Sequence, residues 1–289
     1  MMKSLTATDL HPFMRCDPAA FGKPVARLGL AARGRTGLSR DDVLHAIRRG
    51  VRFFNWPGLA EGEAEPDAFS EAVASLGSFR DRVVVCAQFG ARAAADARIE
   101  LKSLLRMLNT DYIDVLTLYY VEQSDEWDRL RAPGGALEFC RAAKKDGVVR
   151  RVGVTSHQRR LAAEIAQSSE IDTLMIRYNA AHRGAERDVF PVTRQLGMPV
   201  IAYTATRWGA LLRATPDEAY GYEVPRAPAW YRFVLHEPAV SVVLCAPQNR
   251  AELEEDLTVL SAAGPLPHEE HARLAEHGAR VRKHAGHFR

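Results

Sequence analysis

Eight short apolar runs, each followed by a stretch with helical spacing, constrain this chain more than any other feature. The runs fall at 25–31, 51–55, 82–88, 112–120, 151–155, 173–178, 199–204 and 240–245. Most are apolar on consecutive rather than alternate residues, which is the pattern of parallel strands buried on both faces under a layer of helices. Eight strands with eight crossovers over about 250 residues fit a closed α/β barrel of the (β/α)8 (TIM) type. An open doubly wound sheet would need a phosphate-binding glycine loop in its first turn, and "LGLAARGRTG" has neither of the usual glycine spacings.

The segments between the runs carry helix start and stop signals. Ser39 precedes "RDDVLHAIRRG" with Asp42 three positions on, the pattern of a capping box, and Gly50 supplies the stop. In "ARIELKSLLRMLNT" the spacing puts Ile99, Leu104, Leu105 and Leu108 on one buried stripe, and in "GGALEFCRAAKKDG" it turns Leu137, Cys140 and Ala143 inward before Gly147. The residues 210–226 read as a long loop after the seventh strand, where a barrel shapes its pocket. One domain spanning 1–289 is expected, with an irregular N-terminal arm over about 1–24 and a basic C-terminal helix over about 266–289.

A net charge of +3 from 39 basic and 36 acidic residues gives no reason to expect a nucleic-acid or membrane partner. Four cysteines without a C-x-x-C pair, and an N-terminus without an apolar signal core, favour reduced thiols and a cytoplasmic location. The ten histidines lack metal-binding spacing, so no metal is expected. The sequence leaves the oligomeric state open.

In order along the chain, "GVRFFNW", "DYIDVLTLYYVE", "VRRVGVTSHQ", "MIRYNAAHRGAE", "PVIAYTATRWGALL" and "VVLCAPQNRAELEEDL" resemble segments two and four to eight of the aldo-keto reductase superfamily, over roughly residues 25–260. The resemblance implies reduction of a carbonyl by hydride from a nicotinamide. A tyrosine, tuned by a lysine and an aspartate, protonates the forming alkoxide, and a histidine orients the carbonyl. Here the aspartate position holds Asn55, the tyrosine Ala60, the lysine Gln88 and the histidine Tyr119. An untuned phenol has a pKa near ~10 and is a poor acid at neutral pH, so the standard chemistry is not expected. The resemblance further implies that Thr155 and Ser156 hold a nicotinamide carboxamide and that Tyr203 stacks on the ring. Ala246, Pro247 and Glu252 replace the usual grip on the 2′-phosphate, leaving Arg207 or Arg250 to substitute, so NADP and NAD are both open.

Further candidates follow from residue type. Asn55 and Gln88 can form a neutral polar floor or satisfy one another; Tyr119 is a pocket wall or a filler. Tyr120, alternating to the other face, is expected to pack on helices. Glu122 and His157 are the candidate acid–base pair at the rim, with a solvated or helix-capping carboxylate and a helix-capping imidazole as the plain alternatives. Tyr178, Asn179, His182 and Arg183 could line a polar site beside Arg177, with an Arg183–Glu186 surface pair as the plain alternative. Trp56 and Trp208 are expected to add an aromatic wall. Three functions remain: a barrel binding a small organic ligand, an NAD(P)H-linked reductase with a rebuilt site, and a non-catalytic scaffold or sensor.

Overall fold

The computed structural model describes residues 5–32, 36–62 and 65–284. The eight strands are β1 (Leu28–Ala31), β2 (Phe53–Trp56), β3 (Val84–Phe89), β4 (Ile113–Leu118), β5 (Val149–Ser156), β6 (Thr173–Arg177), β7 (Val200–Tyr203) and β8 (Val240–Cys245). They pair in parallel in chain order, and β1 closes on β8, so the expected (β/α)8 barrel forms. Strand alternation divides the apolar side chains into two cores. An inner core stacks Phe53, Val84, Cys86, Val115, Ile201 and Val242, while a larger outer one lies between sheet and helices. Gly29 is required by the inner layer, because a Cβ there would stand 2.9 Å from both Leu244 and Phe53.

The local signals act as physics demands. Ser39 and Asp42 form the reciprocal cap of helix Arg40–Arg48, and Gly50 and Gly147 adopt the left-handed backbone that ends a helix. Leu137, Cys140 and Ala143 are buried on helix Ala136–Lys145. Helix Ala94–Met107 departs from expectation: its buried stripe is Ala97, Leu101 and Leu104, with Leu108 just beyond, and Ile99 is 67% exposed. Small Ala97, two positions before Ile99, is the residue buried in the outer core.

Both ends of the chain brace the barrel. Helix Pro18–Phe21 brings Phe21 against Phe53, ring centroids 4.9 Å apart, as a stopper in the N-terminal mouth. Near that mouth the buried Asp114 carboxylate pairs with Lys23 at 2.5 Å and Arg80 at 2.8 Å. The last helix, His268–His284, falls within the expected 266–289; residues 285–289 lie outside the described ones. It clamps the loop after β7: Glu218 reaches His277 (2.5 Å) and Arg280 (3.0 Å), Asp217 reaches His284 (2.8 Å) and Lys283 (3.3 Å), and Tyr222 stacks on His277. Among the described residues no helix is long and apolar enough to cross a membrane.

Candidate functional site

The C-terminal ends of the strands open into a cavity of about 680 Å³. Its floor is built from inward-facing positions of neighbouring strands: Asn55 on β2, Gln88 on β3, Thr155 on β5 and Met175 on β6. Gln88 Nε2 donates to Asn55 Oδ1 at 2.9 Å, and the Thr155 hydroxyl donates to Gln88 Oε1 at 3.2 Å. All three residues are at least nine-tenths buried, so a closed neutral chain of hydrogen bonds occupies the floor, with the Met175 sulfur 3.7 Å from Gln88 Nε2. The amides satisfy each other and also border the cavity.

Aromatic rings form one wall. Tyr119, Tyr120 and Tyr203 line it, and Trp208, 51% exposed, stands at the mouth. Trp208 sits in a turn where Thr204, Arg207, Trp208 and Gly209 all have positive φ, a strained arrangement for bulky residues. Burial pushes the Tyr203 phenol well above its ordinary range, so it is a neutral group that donates to the Ser156 carbonyl at 3.4 Å. Glu122 and His157 meet as expected. The carboxylate accepts the His157 backbone N–H at 2.8 Å and lies 3.2 Å from ring Nδ1. Burial raises the Glu122 carboxyl, but those hydrogen bonds outweigh it and hold the group below the usual carboxylate range. The pair lies behind Tyr120 rather than on the cavity surface.

Several expected site residues turn elsewhere. Trp56 follows the inward-facing Asn55 and so points outward; it is fully buried in the outer core, with its indole N–H donating to Asp67 at 3.1 Å, and Gly58 packs on its ring. Ala60 lies beyond it in a short 3-10 turn, Gly58–Glu61. Tyr178 is likewise in the outer core, its hydroxyl donating to Glu186 at 2.6 Å, and burial, with that bond second, holds the phenol up beyond its ordinary range. Asn179 ties loops together through Thr204 and Ala181, and His182 lies against it at 3.3 Å. Arg183 takes the plain alternative, a two-pronged pair with Glu186 at 2.7 and 2.9 Å. Arg250 is held by Asp42 and Glu254, and Arg207 is buried; neither borders the cavity. The Ser156 hydroxyl accepts the Gln158 N–H at 3.1 Å, just ahead of the next helix.

The other end of the cavity, beside β8, holds residues the motifs did not single out. Glu255 and Asp256 line it with Glu252. Glu255 is engaged by Arg226 at 2.6 and 2.8 Å, and the buried Asp256 accepts from Tyr231 at 3.1 Å. Burial raises the Asp256 carboxyl to about 7, against the opposing pull of the Tyr231 bond. In sequence these residues belong to the acidic run "ELEEDL", of which Leu253, Asp256 and Leu257 are buried. No group of three His, Cys, Asp or Glu able to hold a metal occurs among the described residues.

With this geometry in view, comparison with known proteins is decisive for ancestry. The sequence matches the Aldo/keto reductase family over residues 38–228, more than half the chain. The chain belongs to that family. It is 26% identical over 271 residues to methylglyoxal reductase YeaE of Escherichia coli (strain K12), covering 84% of this chain and 92% of that one. The fold is similar to aldo-keto reductase AKR11C1 from Bacillus halodurans (TM-score 0.71, 20% identity, 88% and 92% of the two chains). It is also similar to an aldo-keto reductase from Klebsiella pneumoniae solved in complex with NADPH (TM-score 0.70, 22% identity, 89% and 92%). An oxidoreductase-type barrel of this family is therefore the frame in which the site stands.

Proposed function

We propose that this family member binds a small organic ligand in the cleft above Asn55 and Gln88, and that it does not deliver a proton to a carbonyl through the family's tuned tyrosine. The observation carrying this reading is the neutral Asn55–Gln88–Thr155 chain, in which both amides are already partnered where the family places a charged pair. A phenol near it gains no help from a cation or carboxylate in the floor, and an unassisted phenol keeps a pKa near ~10.

A nicotinamide cofactor fits this cleft in part. Thr155 and Tyr203 border it and suit an uncharged carboxamide and ring. Toward β8 the cavity offers Ala246, Pro247 and carboxylates; of the described lining residues Arg213 and Arg226 are cationic, and Arg226 is spent on Glu255. When bound, the cofactor supplies hydride; the chain's own residues supply a neutral, hydrogen-bonding floor and an aromatic wall.

A second reading, an NAD(P)H-linked oxidoreductase with a rebuilt site, is favoured by one observation: two tyrosines, Tyr119 and Tyr120, line the cavity beside the His157–Glu122 pair. Titration with NADH and NADPH, followed by nicotinamide fluorescence, and turnover on a panel of aldehydes and ketones separate the readings. The proposal expects no turnover. Reduction at about 1 s⁻¹ or faster, the lower range for working enzymes, overturns it in favour of the rebuilt reductase. Cofactor binding without turnover or any carbonyl ligand points instead to a sensor or scaffold.

A further inference from the structure

A second cavity, of about 450 Å³, lies at the end of the barrel opposite the cleft. Its walls come from the starts of strands: Arg151 is the third residue of β5, Pro199 precedes β7 and Ser241 is the second residue of β8. Asp17 and Ala19 of the N-terminal arm close its side.

Three donors border this space. Among the described residues, Arg151 uses one N–H on the Ala19 carbonyl at 2.6 Å, and Arg194, on helix Phe190–Leu196, reaches Glu237 at 3.3 Å. A guanidinium carries five N–H donors in a planar fork, so both keep most of theirs. The third donor is Ser241. Val200 pairs with Val240 and Ile201 with Val242, which makes Ser241 an extra residue in β8, and a bulge of this kind re-aims a side chain. Its oxygen accepts the Val200 N–H at 3.3 Å and leaves the hydroxyl hydrogen to donate.

The carboxylates nearby are committed to different degrees. Asp172 is matched by Lys144 at 2.6 and 2.7 Å and by the Val152 N–H at 2.8 Å. Glu237 accepts the Ala239 N–H at 3.0 Å as well as Arg194. Asp17 caps its own helix through the Ala19 N–H at 2.9 Å and is exposed, so water and salt screen it. Two guanidiniums with spare donors, a hydroxyl and one screened carboxylate favour a small anion over a cation. A planar fork meets a carboxylate or phosphate in two-pronged fashion, and such charge-assisted bonds are about twice as strong as neutral ones.

We propose that this cavity is a binding site for a small oxyanion, a phosphate or carboxylate group held by Arg151 and Arg194 with Ser241 as a third donor. Occupancy ties the N-terminal arm, which Arg151 already holds at the Ala19 carbonyl, to the starts of β5 and β8. The inference stands apart from the ligand assigned to the cleft, which none of these residues borders.

Isothermal titration with inorganic phosphate, and separately with succinate, at constant ionic strength tests it. Two charge-assisted hydrogen bonds correspond to a Kd on the order of 1 mM. Arg151→Gln and Arg194→Gln should each weaken binding about tenfold, the scale of one such bond. Asp17→Asn keeps the helix cap and removes the opposing charge, so it should tighten binding. Arg187→Gln is an equal loss of charge at a side chain 79% exposed that borders neither cavity, and it should bind as the unsubstituted protein does. At about a hundred times Kd, phosphate should raise the melting temperature by roughly 5 °C, and by less in the two arginine variants; melts without phosphate report folding. Binding of phosphate alone assigns a phosphate-bearing ligand, of succinate alone a carboxylate, and of both a site that reads the shared charge; binding of neither overturns the proposal. Unchanged affinity in either arginine variant overturns it too, as does loss of binding in Arg213→Gln, which would put the anion in the cleft.

Discussion

The floor of the cleft can be tested by giving back the charges it lacks. Gln88 is 4% and Asn55 5% exposed, and the side chains that Gln88 meets through Asn55, Thr155 and the Met175 sulfur are all neutral. Gln88→Lys alone therefore buries an ammonium without a counter-charge, and Asn55→Asp alone buries a carboxylate in the same position; each should cost about 3–5 kcal/mol. At roughly 2 °C per kcal/mol for a chain of this size, each melts about 6–10 °C lower. Because the two side chains share one 2.9 Å bond, the double variant places opposite charges in contact. It should fall short of the summed losses by roughly 2–3 kcal/mol, the upper range of coupling between touching residues. Urea unfolding of the four proteins at neutral pH measures the cycle. Additivity to within about 0.5 kcal/mol would mean that the amides do not share that bond, and the account of the floor would fall with it.

Asp256 gives a pH signature. Its carboxyl lies at about 7 in the fold against 3.8 when free, so between those values the folded chain holds a proton that the unfolded chain has released, and stability falls as pH rises. The contribution is whole below 3.8 and gone above about 7; urea midpoints across that window should show a loss on the order of a few kcal/mol, and Asp256→Asn should flatten it. The four thiols are buried, with Cys16, Cys86 and Cys140 pushed up to about 12 and Cys245 also raised by burial. Iodoacetamide at mildly alkaline pH should leave all four unlabelled by mass spectrometry until the protein is unfolded, and native labelling of any one would contradict its burial.

The order of strands was legible because a parallel strand covered on both faces must be apolar on successive residues. Strand edges were less so: residues 25–27 look like β1, yet Cys16 and Arg27 hydrogen-bond between that segment and the N-terminal arm before the ladder begins at Leu28. The convergence of Asn55, Gln88 and Tyr119 follows from position at strand ends, which sequence order fixes once the barrel is granted. Side-chain direction beyond a strand is a different matter. Trp56 obeys alternation and leaves the pocket, whereas Tyr120 lies past the last ladder residue, where a left-handed turn reverses what alternation predicts. Asp256 escaped because a helix-borne carboxylate in an acidic run looks solvated until burial is known.

The bracing of the loop after β7 by the final helix ties together parts of the chain more than fifty residues apart. Leu212, Val224 and Pro225 belong to the cleft's boundary, yet the neighbouring Asp217, Glu218 and Tyr222 find their partners on a helix that does not itself border the cleft. Shortening the polypeptide ahead of His277 would thus unmoor one side of the binding chamber while sparing the cylinder beneath it, and screens run on such trimmed versions would sample a differently shaped vestibule.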